Sequence, residues 1–155
     1  MVDLVTATSD QVPRHADPPG QRKEHRVMTS MWSPGQLRRL DASAELEIAV
    51  QRLDGTMHRW VPIWVVCVGR DVFVRTWYRR PSGWFGQVQR SHRARIRVSD
   101  VDVAVAVTDV AEGSAELRLG IDNAYRAKYG HYGHDTVEQM VSDAAAATTL
   151  RLIPT

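Results

Sequence analysis

Between Val72 and Ser99 the chain carries seven arginines and no carboxylate. The whole chain has a formal net charge of only +2, so this stretch is +7 and everything else sums to about −5 by difference. A guanidinium stays charged throughout the physiological range, and its planar fork matches the oxygens of a phosphate or carboxylate. Alternation along a strand puts Arg93, Arg95 and Arg97 on one face, where Asp100 and Asp102 or water would meet them. Arg75, Arg79 and Arg80 are the better candidates for an anion seat. Trp60, Trp64, Trp77 and Trp84 flank the same region. Together they could wall a planar ring, against the plainer alternative of core and interface packing.

A second polar constellation comprises Asp122, Tyr125, Lys128, Tyr129, His131 and Tyr132. Tyr125 stands at helix-neighbour spacing from both Lys128 and Tyr129. A lysine beside a phenol can lower its pKa and prepare it for proton transfer, with Asp122 as a further proton carrier. The plainer reading is a helix that packs its tyrosines and snorkels its lysine. His131-Tyr132-Gly133-His134 sets two histidines three apart, but no second cysteine or acid cluster beyond Asp135 supports a metal site, and none is expected. No glycine-rich phosphate loop, nucleophile elbow or paired-carboxylate signature is present, which argues against kinase, hydrolase and dinucleotide-fold chemistry.

The elements that would position these groups are mostly strands. Residues 1–30 carry Pro13, Pro18, Pro19 and Gly20 without a hydrophobic period, and read as a disordered or extended tail with Met28 and Met31 as alternative starts. Residues 31–155 form the folded domain. Ser33-Pro34 opens a short helix, Leu46–Val50 alternates as a strand, and Asp54-Gly55 marks a hairpin turn. A long strand over Thr56–Val68 contains Pro62, which predicts a bulge, bend or edge. Gly69-Arg70-Asp71 turns into a strand over Val72–Trp77. Ser82 is placed to cap a helix to His92, followed by strands at Ile96–Val98 and Val101–Val107. Ser114 opens a helix to Tyr129 with Leu117, Ile121, Ala124, Tyr125 and Lys128 along one stripe, ended by Gly130. A helix from Asp135 or Thr136 and a strand over Thr148–Ile153 complete the chain. The pattern predicts a mainly β protein with inserted helices, a small barrel with helical decoration.

Ile63-Trp64-Val65-Val66, Val72-Phe73-Val74-Arg75-Thr76, Trp84-Phe85, Arg95-Ile96-Arg97 and Ala124-Tyr125-Arg126-Ala127-Lys128-Tyr129-Gly130 together resemble an uncharacterised bacterial family. Through it the chain is similar to the flavin-binding split barrels, the pyridoxamine-phosphate-oxidase-like proteins and deazaflavin-dependent nitroreductases. The resemblance implies a split β-barrel of the FMN-binding type, a homodimer, and an FMN or deazaflavin coenzyme lying in a groove. It assigns Arg75, Thr76 and Trp77 to the strand end that meets the cofactor, Arg79, Arg80 and Trp84 to the following loop and helix start, and Trp64 to the facing strand. Where those relatives commonly carry lysine or asparagine on that helix, this chain has Gly86, Gln87 and Gln89.

Three functions follow as expectations. The first is a flavin or deazaflavin oxidoreductase acting on a small molecule. The second is a cofactor-free isomerase or cyclase on the same barrel, with Tyr125, Lys128 or Asp122 moving protons. The third is a non-enzymatic module that binds an anion or a nucleic acid through the basic stretch. Nucleic acid is a poor partner for a chain with 18 arginines and two lysines. No apolar run approaches the ~20 residues of a membrane span. With no signal pattern and only Cys67, which reads as a small core residue, a cytoplasmic location is expected.

Overall fold

The computed structural model describes residues 31–77 and 82–155. The expected N-terminal tail, and Arg79 and Arg80 in the loop, lie outside these residues.

Helix α1 (Pro34–Ala42) starts as the sequence predicts. The Ser33 Oγ accepts from the Gln36 N–H at 3.1 Å, and the Gln36 side chain accepts from the Ser33 N–H at 2.9 Å, with Pro34 at the first helical position. Strand β1 (Leu46–Val50) leads to the Asp54-Gly55 turn, where Gly55 sits at φ +94° and Asp54 Oδ1 accepts from the Thr56 amide. The long strand expected over Thr56–Val68 is instead two short ones, β2 (Val61–Ile63) and β3 (Val66–Val68). Pro62 lies in β2, an edge strand, where a missing N–H costs no ladder bond on the open side. The β3–β4 hairpin (β4, Asp71–Val74) turns through Gly69 at φ +63°.

Helix α2 (Trp84–Ser91) starts one residue later than expected, with Gly83 rather than Ser82 at its N-cap; the Ser82 carbonyl accepts from the Gln87 side-chain amide at 2.8 Å. Strands β5 (Arg93–Val98) and β6 (Val101–Asp109) form a hairpin. Helix α3 (Ala115–Tyr129) is capped by Ser114 as predicted. Gly130 ends the α-helix as its C-cap, as predicted, but at φ −57° rather than in a left-handed conformation; a 3₁₀ turn follows, and the reversal comes at Gly133, φ +116°. Helices α4 (His134–Met140) and α5 (Asp143–Ala146) and strand β7 (Leu150–Pro154) follow.

All neighbouring strands pair antiparallel in the order β2-β1-β5-β6-β7-β4-β3. The outermost strands, β2 and β3, are consecutive in the chain and separated only by Trp64 and Val65. Laid flat, seven strands would hold their edges about 29 Å apart. The three residue steps from Ile63 to Val66 reach at most about 11 Å. The sheet must therefore curl until its edges meet, and the result is a split, half-closed barrel with helices packed on it.

Period-two alternation sorts the side chains. Leu46, Ile48, Val72, Val74, Ile96 and Leu152 fill the barrel with Leu40, Phe85 and Val88 from the first two helices. Val66 and Phe73 point the other way, into a second core built on Ile121, Tyr125, Tyr129, Val137 and Met140 from α3 and α4. On the wet face Arg95 meets Asp102 at 2.7 Å, as expected, while Arg97 takes Glu47 at 2.7 Å and Asp100 goes to Arg39 at 2.6 Å.

Where the edges meet, Val65 belongs to no strand and is fully buried, so its backbone groups need partners from elsewhere. Helix α3 supplies them. The Tyr129 hydroxyl accepts from the Val65 N–H at 3.0 Å and donates to the Ala44 carbonyl at 2.7 Å. The Lys128 ammonium donates to the Val65 carbonyl at 2.8 Å and the Leu40 carbonyl at 3.0 Å. Tyr129→Phe leaves the Val65 amide buried and unpaired, and is expected to cost about 1–3 kcal/mol in urea denaturation with the slope of the transition unchanged.

Candidate functional site

The break in the ladder leaves a groove of about 270 Å³ beside the seam. Three tryptophans from three separate segments reach it: Trp64 from the seam itself, Trp77 from the end of β4, and Trp84 from the start of α2. Ile63 and Met140 add apolar wall, and Arg75 and Thr76 complete the β4 side. Trp64 is held in place by Tyr129, stacked at 3.9 Å between centroids and 1° between planes. Trp84 packs edge-on against Phe85 at 5.9 Å. Trp77 is 51% exposed at the rim. The fourth expected wall residue, Trp60, is elsewhere, beneath the Arg97 guanidinium at 4.1 Å.

Arg75 is 1% exposed, and two of its three side-chain nitrogens are bonded within the protein. Its Nη1 donates to Asp122 Oδ1 at 2.6 Å and to the Met140 carbonyl at 3.0 Å, and its Nε donates to Thr149 Oγ1 at 2.9 Å. Next to it the Thr76 amide donates to Thr148 Oγ1 at 2.9 Å. The end of β4 is thus riveted to β7 and α3. The anion seat expected at Arg75 meets this geometry: Asp122 already neutralises the guanidinium that was to hold an oxyanion. Asp122 also lies 3.5 Å from Arg118, one helical turn back.

The expected proton-transfer group is not assembled at the groove. Tyr125 is fully buried in the second core, its ring 5.5 Å from the Arg75 guanidinium carbon. Burial pushes its phenol well above the ordinary range, more strongly than the Arg75 charge pulls it down, while Tyr129 adds to the rise. The Arg75 backbone favours the phenolate slightly but is not in bonding geometry, so the hydroxyl has no partner among the described residues. Tyr129 is likewise raised by burial, against the smaller opposing effect of the Val65 amide. Lys128 lies over the Tyr129 ring at 5.3 Å, and burial lowers its pKa. Both phenols are therefore held protonated rather than activated, and Lys128 serves the seam. The residues that sequence reasoning missed are Thr148 and Thr149, whose hydroxyls anchor β4. Adjacent threonines before a strand carry no distinctive signal.

Cys67 is a core thiol, pushed up to about 11 chiefly by burial. Among the described residues no group of three or more His, Cys, Asp or Glu is placed to hold a metal ion, and no helix is long and apolar enough to cross a membrane.

The three-tryptophan wall suits a flat ring. The volume sits at the lower edge of the roughly 300–1,000 Å³ usual for small-molecule sites, so it would take a ring rather than a whole nucleotide coenzyme. A phosphate would need a cation other than Arg75.

A family model described as an uncharacterized protein conserved in bacteria (DUF2255) matches residues 36–152. Among solved structures the chain is similar to the conserved hypothetical protein Rv2991 from Mycobacterium tuberculosis, at 12% identity over 81% of each chain and a TM-score of 0.49. It is similar to an F420 reductase at 15% identity, covering 80% of this chain and 96% of that one, TM-score 0.45. A putative 5-nitroimidazole antibiotic resistance protein from Bacteroides thetaiotaomicron is 11% identical over 81% of each chain, TM-score 0.47. No curated protein sequence matches the chain.

Two outcomes test this arrangement. Asp122→Asn strips the buried guanidinium of its counter-charge and is expected to cost about 3–5 kcal/mol, while the double change Arg75→Met with Asp122→Leu recovers much of that loss. The check is chemical denaturation of the unaltered chain, the single variant and the double variant side by side. Alkaline titration followed at 295 nm tests the phenols. In the fold Tyr125 and Tyr129 keep their protons past the ordinary tyrosine pKa of about 10, so stability is full below that pH and falls as pH rises through it. Lys128, lowered rather than raised, opposes this by one proton against two. Of the four tyrosines, two should ionise only as the protein unfolds.

Proposed function

The chain belongs to DUF2255, a family conserved in bacteria, and within it we propose that the seam groove binds the ring of a planar, anionic small molecule. A flavin or deazaflavin coenzyme of an oxidoreductase is the guest that suits it best. The observation that carries this is the convergence of Trp64, Trp77 and Trp84 on one groove. Tryptophans are individually common in cores, but three from separate segments lining the same cavity, one of them half exposed, make a stacking wall. Trp64, backed flat by Tyr129, would lie under the ring, with Trp77 and Trp84 at its edges.

Arg79 and Arg80, between Trp77 and Trp84 in sequence, would take the phosphate, and Thr76 would add a hydroxyl. Such a coenzyme, once bound, would supply hydride transfer; the protein's part is to orient the ring and keep water from one face of it. A second copy of the chain closing the open rim at Trp77 fits the same reading.

The test is titration of the purified protein with FMN and, separately, with a deazaflavin coenzyme, followed by quenching of tryptophan fluorescence. Saturable binding by either is expected. Trp77→Ala should weaken it about 10-fold, the loss of roughly 1.4 kcal/mol of stacking. Arg79→Ala with Arg80→Ala should weaken the phosphorylated coenzyme but leave binding of riboflavin, which lacks the phosphate, unchanged. No saturable quenching by any of these removes the proposal.

A further inference from the structure

A second, much smaller cavity lies on the far side of Arg75, away from the tryptophans. It holds about 20 Å³, room for one guest near the size of a water molecule. Arg75, Thr149, Ser114, Gly113 and Arg118 contribute to its wall. Arg75 has one donor nitrogen, Nη2, buried and without a partner among the described residues. In a planar guanidinium Nη2 shares its donor edge with Nε. Nε here is bonded to Thr149, a wall residue of this cavity, whereas Nη1 faces Asp122 and Met140. One of the two N–H groups on Nη2 therefore lies on the Thr149 side of the guanidinium, where Arg75 and Thr149 share the cavity wall.

The surroundings ask for an acceptor. The 15-residue helix α3 begins here, at Ser114, with the positive end of its dipole. Arg118, half exposed, is the second guanidinium on the wall. Its charge is shared between Asp122 and the exposed Asp143. The Thr149 hydroxyl already spends its proton on the Ala146 carbonyl at 2.6 Å and accepts from Arg75, so it makes no demand for a donor. A guest that only accepts suits such a wall better than water, which must also donate.

We propose that this cavity is a binding site for a single monatomic anion of chloride size, held by Arg75 Nη2 with Arg118 and the start of α3. It is separate from the seam groove. Because Arg75 also rivets β4, the anion would stiffen the strand end that carries Thr76 and Trp77.

The full chain is heated at constant ionic strength in sodium chloride or in sodium gluconate, whose anion is too large for the cavity. Raising chloride from ~5 mM to ~200 mM is expected to raise Tm by about 3 °C, saturably, with no such rise in gluconate. Arg118→Gln should abolish the difference. Crystals grown in sodium bromide should give an anomalous peak beside Arg75 Nη2, a measurement that does not depend on any variant folding. Equal Tm curves in the two salts, or a cavity holding only water in the bromide crystal, would overturn the proposal.

Discussion

Two residues join strands that stand at opposite ends of a seven-stranded sheet, and most of the molecule follows from that short tether. It forces the sheet to curl, because a flat one would put its edges nearly three times too far apart for the chain to bridge. It also forces a break in the ladder, since Trp64 and Val65 cannot pair with both edges while crossing between them. A buried break leaves unpaired backbone groups, and these cost free energy unless something else satisfies them. Tyr129 and Lys128, neighbours at the end of α3, do so with four hydrogen bonds to Val65 and to the nearby carbonyls of Ala44 and Leu40. The groove is the same break seen from the other side. Closure and cavity are one feature.

The strand that leaves the groove is secured differently. Arg75 is a charge taken almost wholly out of water, which only a well-placed counter-charge makes tolerable. Asp122 at 2.6 Å, a carbonyl and a threonine hydroxyl supply it. Burying such a pair adds little net stability over a hydrophobic pair of the same shape. What it adds is position: it accepts no slip of β4 against β7 or α3, because any shift leaves a naked guanidinium in the core. Thr76 and Trp77 follow directly on that anchor, so the rim of the groove inherits its precision.

How much of this could be read in advance depends on how far apart in sequence the partners lie. Ser33, Ser114 and the alternating strands are local, and the structure places them as the sequence predicts. Pro62 correctly marked an edge, yet the split of one apparent strand into two could not be seen, since it depends on which strands flank Val65 after folding. Tyr125, Lys128 and Asp122 do share helix α3, as their spacing said. Their tasks diverge because the helix passes two different parts of the barrel: Asp122 and Tyr125 lie against Arg75, while Lys128 lies over the seam 63 residues away in sequence. Helical spacing tells which residues are neighbours, not what the helix will meet.

The arginine run teaches the same lesson in charge. A count of +7 over one stretch suggested a strong local field, but the acids that make the rest of the chain negative fold back onto it. Arg75, Arg95 and Arg97 are each met by a carboxylate, from positions 47, 7 and 50 residues away. Arg93 points to solvent, where it is screened. These pairs neutralise three of the seven arginines, so the charge of the stretch is smaller than its count. Arg79 and Arg80 fall in sequence between Trp77 and Trp84, two of the residues that line the groove. On the reading proposed above, an anionic guest in the groove would owe its affinity for charge to those two residues and its affinity for shape to the three tryptophans.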